Sequence, residues 1–261
     1  MNIATIIGAR PQFIKAAPIS EKINNSHNSV SEIIIHTGQH FEKNMSNIFF
    51  DEMNIAEPNY NLEINQMEYG KMIDKMVKKI YPILIKENIH GVLVYGDTNS
   101  TLAGSISAKQ LNLPIFHVEA GLRSFNRFML EENNRIITDH LSSLLFCPSE
   151  NAIKNLLNEN LIDGVMLSGD VMYDVYLKFS SLKHNLSLDL KKTKYILATI
   201  HRRENINSAE KLSDIFKNLN KINNNRKIIM PLHPHTKKKV KEFKIQSNIK
   251  FIEPLGYVSM V

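Results

Sequence analysis

"IATIIGARPQFIKAAP", residues 3–18, runs from an unbroken apolar stretch through a glycine, an arginine and a proline into helix-like spacing. A continuous apolar strand is one that other elements cover on both faces, as strands are in a parallel sheet. Gly8 suits a tight turn. Pro11 stands at the first helical position, where its fixed φ fits and its missing N–H would have been orphaned anyway. This segment therefore reads as the first half of a β-α-β unit, and the rest of the chain repeats it.

Further strand candidates are 32–36, 91–95, 114–118, 144–148, 165–169, 195–200, 227–232 and 249–253, and helical patterns fill 11–24, 66–87, 99–111, 132–142, 149–158 and 208–222. Such alternation predicts an α/β fold with doubly wound parallel sheets. At 261 residues, two domains are expected. The polar stretch SSLKHNLSLDLKKTK (180–194) is the junction candidate; the first domain is drawn as 1–169 and the second as 170–261.

The bulk composition narrows the class. A hydrophobic content of 43% allows a sizeable core. No apolar run approaches a membrane span and no signal-peptide pattern opens the chain, so neither a membrane nor export is expected. The single Cys147, in LLFCPS, reads as a packed, inert thiol and fits a reducing cytoplasm. Lys+Arg 32 against Asp+Glu 26 gives +6, a weak preference for anionic partners. The lysines are scattered, which argues against nucleic acid; Lys237, Lys238, Lys239 and Lys241 read as a solvated helix face.

Chemistry-bearing residues gather where strands end. Gly8 and Arg10 follow the first strand, Gly38, Gln39 and His40 the second, then Asp97, Glu119, His201 and His233 follow later ones. In open α/β sheets ligands bind beyond the carboxyl ends of strands, where helix N-termini also point. Free amides at the first helix, with Arg10 and Lys15 on its opening turns, suit a phosphate. Neither G-x-G-x-x-G nor G-x-x-x-x-G-K-[ST] occurs, so a dinucleotide cofactor and P-loop chemistry are not expected, and no histidine spacing suggests a metal.

"HVEAGLRSFNRFMLEENNR" (117–135) places Glu119 after a strand and Glu131, Glu132 and Arg135 at the mouth of the next helix. Arg10, Lys15, Arg123, Arg135 and the histidines can balance these acids, and crowding should raise at least one carboxyl toward neutrality. Glu132 reads as a first-turn acid favoured by the helix dipole, and Asn99 and Thr101 as caps of the helix after GDT.

Eight blocks, "GARPQFIK", "TGQH", "YGDTNSTLA", "HVEAGLRSFNRFMLEENNR", "GDVMYD", "TIHRREN", "PLHPHT" and "PLGY", together resemble the non-hydrolysing UDP-N-acetylglucosamine 2-epimerases, in that family's order and across nearly the whole chain. The resemblance implies two Rossmann-like domains of GT-B type with the active site in their cleft. It implies an isomerase that interconverts UDP-GlcNAc and UDP-ManNAc by eliminating UDP to 2-acetamidoglucal and adding it back, with no cofactor or metal. Transient oxidation by NAD is the other chemical route to inversion at C2, and the missing fingerprint disfavours it. Catalytic roles carry over to Asp97, Glu119 and Glu131, with His201 near the diphosphate. Arg10, Lys15, Gln39, His40, Arg123, Arg135 and His233 take the UDP and phosphate positions. A homodimer, a cytoplasmic location and a place in cell-surface polysaccharide synthesis are implied as well.

Two departures from the family pattern stand out. Leu130 occupies a place where the family usually has proline, and the chain stops at PLGYVSMV, ahead of a strand and a D-S-G-G loop. The second domain is therefore expected to be incomplete and the chain marginally stable there and inactive alone. Alternatives are a 2-epimerase of a modified UDP-sugar such as UDP-diacetamido-glucuronic acid, or an inactive truncated remnant. A GT-B glycosyltransferase would share the fold without needing the three acids, and the intact GARP and HVEAGLR blocks argue against the hydrolysing type.

Overall fold

A computed structural model describes residues 1–26, 30–39, 56–65, 67–180 and 194–260. Two compact units are present, Met1–Leu182 and Lys183–Met260.

In the first unit the elements run β1 (Asn2–Ile7), α1 (Arg10–Asn25), β2 (Ser31–His36), β3 (Tyr60–Asn61), α2 (Tyr69–Lys86), β4 (Gly91–Tyr95) and α3 (Asn99–Gln110). They continue with β5 (Ile115–Val118), α4 (Leu130–Leu141), β6 (Leu144–Cys147), α5 (Glu150–Asn158), β7 (Val165–Leu167) and α6 (Val171–Ser180). The strands form one sheet in the order β3-β2-β1-β4-β5-β6-β7, and every pairing is parallel. The winding reverses between β1 and β4, so the carboxyl ends of those two strands flank the crevice in which this architecture binds ligands.

Alternate strand residues feed a core on each face. Ala4, Ile6, Ile35, Val92, Val94 and Ile115 pack against Met72, Met76, Ile80 and Leu84. Those four form the buried i, i+4 stripe of α2. On the opposite face, beside α1 and α6, an apolar groove of about 450 Å³ is lined by Ile3, Leu93, Phe116, Leu144 and Phe146 among others.

Unit two contains β8 (Ile196–Leu197), α7 (Arg203–Ile206), α8 (Ala209–Asn225), β9 (Ile228–Pro231), α9 (Pro234–Glu242), β10 (Lys250–Ile252) and α10 (Tyr257–Met260). Its sheet has the order β10-β9-β8 and is parallel. Leu212, Phe216, Ile228, Met230 and Val240 are among its core residues. No helix among the described residues is long and apolar enough to cross a membrane.

Two elements depart from the sequence reading. The strand expected over 195–200 covers only Ile196–Leu197. The stretch 171–180 is a helix; it buries Val175 and Phe179 and pairs Lys178 with Glu21 of α1. These contacts bind it to the first unit and move the boundary from 169/170 to 182/183. The lysine-rich segment is helical as expected, turning Thr236 and Val240 inward.

Candidate active site

The turn after β1 is built for close approach. A Cβ on Gly8 would lie 1.9 Å from Thr37 Oγ1 and 2.3 Å from Ser100 Oγ, so only glycine fits. Gln12 then ties the switch point together. Its Oε1 accepts from the Gly8 amide at 2.9 Å and the Ala9 amide at 3.0 Å. Its Nε2 donates to the Tyr95 carbonyl and to Thr101 Oγ1, each at 3.0 Å. The Gly8 and Ala9 amides, just ahead of the first helix, are therefore already taken by Gln12. Arg10 is half-buried at the first position of α1. From the end of β2, Gln39 Oε1 accepts from Ser100 Oγ at 2.9 Å and the Ser100 amide at 3.3 Å. His40 lies outside the described residues. The cap of α3 is Thr98, whose side chain accepts from the Thr101 amide. Thr101, expected as a cap, instead donates its hydroxyl to the Tyr95 carbonyl at 2.6 Å.

Two acids stand on neighbouring strand ends. Past β5, Glu119 has φ +71°, a left-handed conformation that costs a side-chain-bearing residue roughly 1–3 kcal/mol and is held only where surroundings enforce it. Its amide and that of Ala120 both donate to the Phe146 carbonyl, at 3.1 and 3.0 Å. Its carboxylate meets Lys15 Nζ at 2.6 Å, with the two side chains 18% and 10% exposed. Lys15, not Arg123, is thus the partner of Glu119. Past β4, Gly96 turns left-handed at φ +61°, and a Cβ there would lie 3.2 Å from Lys15 Nζ. Asp97 follows. Its carboxylate accepts from Arg135 Nη2, and its carbonyl accepts from Asn134 Nδ2 at 2.9 Å.

Glu131 is exposed on the first turn of α4. Burial, and after it the charge of Glu131, holds the Tyr69 phenol above its ordinary value. Tyr69 donates in turn to Asn134 Oδ1. Sequence reasoning missed Tyr69, Asn134 and Gln12, whose roles depend on contacts between distant segments. Leu130 is the first residue of α4; proline is favoured at that position, but leucine leaves the helix start in place.

Beneath these groups lies a second, dry layer of charge. Arg123 is 1% exposed; its Nη1 donates to Asp139 Oδ2 at 2.7 Å and its Nε to Glu159 Oε1 at 2.6 Å. Nη2 completes a fork on Glu159 at 2.8 Å. With four of its five N–H groups engaged by Glu159, Asp139 and the Leu122 carbonyl and its side chain buried, this guanidinium holds the fold together, which argues against its expected place among the UDP-binding residues. Glu132 stands on the first turn of α4 as expected, with partners beyond the helix. Its side chain is 1% exposed and accepts from the Ser124 amide and hydroxyl and the Phe125 amide at 2.8–3.1 Å. Burial alone would raise this carboxyl, but those donors and Arg135 hold it below its ordinary value. It staples the loop that leads to Glu131. Asp139 is likewise held low, against burial, by His117 and Arg123. Among the described residues the raised carboxyl is Glu32, lifted by burial and bonded to Thr5 and Ser20 beneath α1. Cys147 is buried, and burial, aided by Asp139, pushes its thiol up to about 11, as suits an inert thiol.

In the second unit, His201 is exposed after β8. His233 is also exposed, after β9, where its Nδ1 accepts from the His235 amide at 3.2 Å and caps α9.

Comparisons with known proteins agree on one group. A family model described as UDP-N-acetylglucosamine 2-epimerase matches residues 22–261. The chain is 49% identical to a UDP-N-acetylglucosamine 2-epimerase homolog of Methanococcus maripaludis, covering 100% of this chain and 75% of that one. At the same coverage it is 45% identical to a UDP-2,3-diacetamido-2,3-dideoxy-D-glucuronate 2-epimerase of Pseudomonas aeruginosa. Its fold superposes on the crystal structure of Methanocaldococcus jannaschii UDP-GlcNAc 2-epimerase in complex with UDP-GlcNAc and UDP, with TM-score 0.89 and 40% identity, again over 100% and 75% of the two chains.

Proposed function

The chain belongs to the UDP-N-acetylglucosamine 2-epimerase family, and from that membership we propose that it interconverts UDP-GlcNAc and UDP-ManNAc. The reaction needs no oxidant. A base takes the proton from C2 while the bond from C1 to the diphosphate oxygen breaks, and the C2–H electron pair becomes the double bond of 2-acetamidoglucal. UDP then re-forms its bond to C1 as a proton reaches C2 from the opposite face.

One observation carries the reading: Asp97 and Glu119 stand at the ends of adjacent strands beside the switch point, each against its own cation, Arg135 and Lys15. Such a pair can move protons on either side of a sugar ring, and the cations can steady the charge that gathers on a departing diphosphate. Asp97, Glu119 and Glu131 form the proposed proton-transfer set. Arg10, Lys15, Gln39, His40, Arg135 and His233 hold UDP, with His201 beside the diphosphate. Arg123 is not among them. A homodimer working in the cytoplasm completes the proposal, its assembly checked by light scattering.

A second reading has its own support. The diacetamido-glucuronate 2-epimerase is 45% identical, against 40% and 38% for two archaeal UDP-N-acetylglucosamine 2-epimerases. Incubation in D₂O with each UDP-sugar separates the two. Deuterium at C2 of newly formed UDP-ManNAc supports the first reading. Exchange and inversion only on the diacetamido sugar support the second, and neither would remove both.

A further inference from the structure

We propose that His117 is a positioning residue of the strand-end site, its imidazole clamping the Gly96 carbonyl and so fixing Asp97 relative to Glu119. The kinetic arm of this inference rests on the 2-epimerase reading; the structural arm does not.

His117 lies within β5, and its side chain is fully buried. Nδ1 is 2.6 Å from Asp139 Oδ1, and Nε2 is 2.8 Å from the Gly96 carbonyl. A carbonyl only accepts, so Nε2 carries hydrogen. Asp139 Oδ2 also accepts from Arg123 Nη1 at 2.7 Å and from the Gly121 amide at 3.1 Å, the company of an ionised carboxylate. Nδ1 therefore donates as well, and the ring is an imidazolium.

The clamp acts where regular pairing stops. The β4–β5 register ends at Tyr95 opposite Val118. Gly96 then swings left-handed, and its two polar groups are caught by consecutive β5 residues: its amide donates to the Val118 carbonyl at 3.0 Å, and its carbonyl accepts from His117. The imidazole supplies the bond that the ladder no longer can. Asp97 is the next residue along one strand end, and Glu119 lies two residues beyond His117 on the other. Both acids thus hang from one buried fixture. Small displacements of reacting groups matter at this scale, since about 1 Å of misplacement can cost on the order of 100-fold in rate.

Two substitutions separate clamping from packing. In His117→Gln the amide nitrogen stands near the Nε2 position and can still donate to Gly96. In His117→Asn it stands near Nδ1 and reaches only Asp139. For His117→Asn we expect kcat to fall about 100-fold with KM within about threefold, and for His117→Gln recovery of about tenfold of that loss. Independently of turnover, ring ¹⁵N spectra of the wild-type protein should show both nitrogens protonated, and the Asp97 amide resonance should move in His117→Asn and stay near its wild-type position in His117→Gln. A wild-type ring without hydrogen on Nε2 would overturn the clamp with no variant needed. So would equal losses in the two variants, or an unmoved Asp97 amide in His117→Asn. If the wild type fails to turn over UDP-GlcNAc, the reaction assignment fails, and the resonances still decide the clamp.

Discussion

The strand-end layer and the layer beneath it draw on the same segment of chain yet treat charge in opposite ways. Above, Asp97 and Glu119 each hold one cation and keep part of the carboxylate reachable, 31% and 18% exposed. Below, His117, Asp139 and Arg123 saturate one another at 0–1% exposure. The lesson concerns depth. A carboxylate with one partner and an open side can exchange a proton with a ligand, while one that is saturated and dry only holds shape.

The most severe test of that contrast falls on the upper layer. Asp97→Asn, Glu119→Gln and Glu131→Gln should each lower kcat by roughly 10²–10⁴ while UDP still binds by calorimetry, the usual range for a general acid or base. Near-normal turnover in all three would remove the proton-transfer role. Next, Arg123→Ala should destabilise the fold by about 3–5 kcal/mol, because it removes the hydrogen bonds that hold buried Asp139 and Glu159 together and leaves Asp139 with His117 alone as its cation. UDP affinity of the folded protein should not change. Retained stability with lost affinity would return Arg123 to the binding set and break the contrast.

Arg10→Ala should follow, weakening UDP by roughly 10- to 100-fold, the scale of a charged hydrogen bond of about 1.5–3 kcal/mol. Lys15→Ala should cost less affinity and act more on kcat, since Lys15 is engaged with Glu119. The smallest effects are in stability against pH. The lowered Glu132 carboxyl stabilises the fold above its unfolded pKa of about 4.3, and that contribution disappears as pH falls through its folded value. Glu32 has the reverse sign: with its carboxyl raised by burial, its favourable contribution lies below the unfolded value and is lost as pH rises through the folded one. Melts of Glu132→Gln and Glu32→Gln from acid to neutral pH should diverge from wild type in opposite directions, the first falling below it and the second rising above it as pH increases. Parallel shifts would show that one sign is wrong.

The pattern of buried strands and the acids at their ends could be read directly from the sequence, because continuous apolar runs and the residues just after them are local signals. Other features were hidden for physical reasons. Helix α6 carries large apolar side chains around most of its circumference, Tyr173, Tyr176 and Leu177 being exposed, which erases the helical period. Strand β3 has two residues, too few for any pattern. Arg123 reads as a phosphate ligand and Glu132 as a simple first-turn acid because nothing near them in sequence reveals that the loop folds back over Glu132 and that Glu159 arrives from the end of α5. His117 read as one more strand residue. Its partners are 21 and 22 positions away, so its part in the site depends on the sheet rather than on the motif.

The reversal of strand order at β1 also has a consequence in time. Asn2 donates its amide to His90 across 88 positions of chain, and β4 lies directly beside β1. Nothing earlier in the chain can supply that neighbour. A polypeptide emerging from the ribosome can form β1, α1 and β2, and so present Arg10 and Lys15, well before either strand-end acid exists. The crevice arises in one late step, when β4 docks and closes a long loop, an event whose entropic cost precedes any contact that offsets it. Parallel sheets of such high contact order fold slowly. During refolding, ligand binding should therefore appear together with the docking of β4 and lag behind the helical signal of α1.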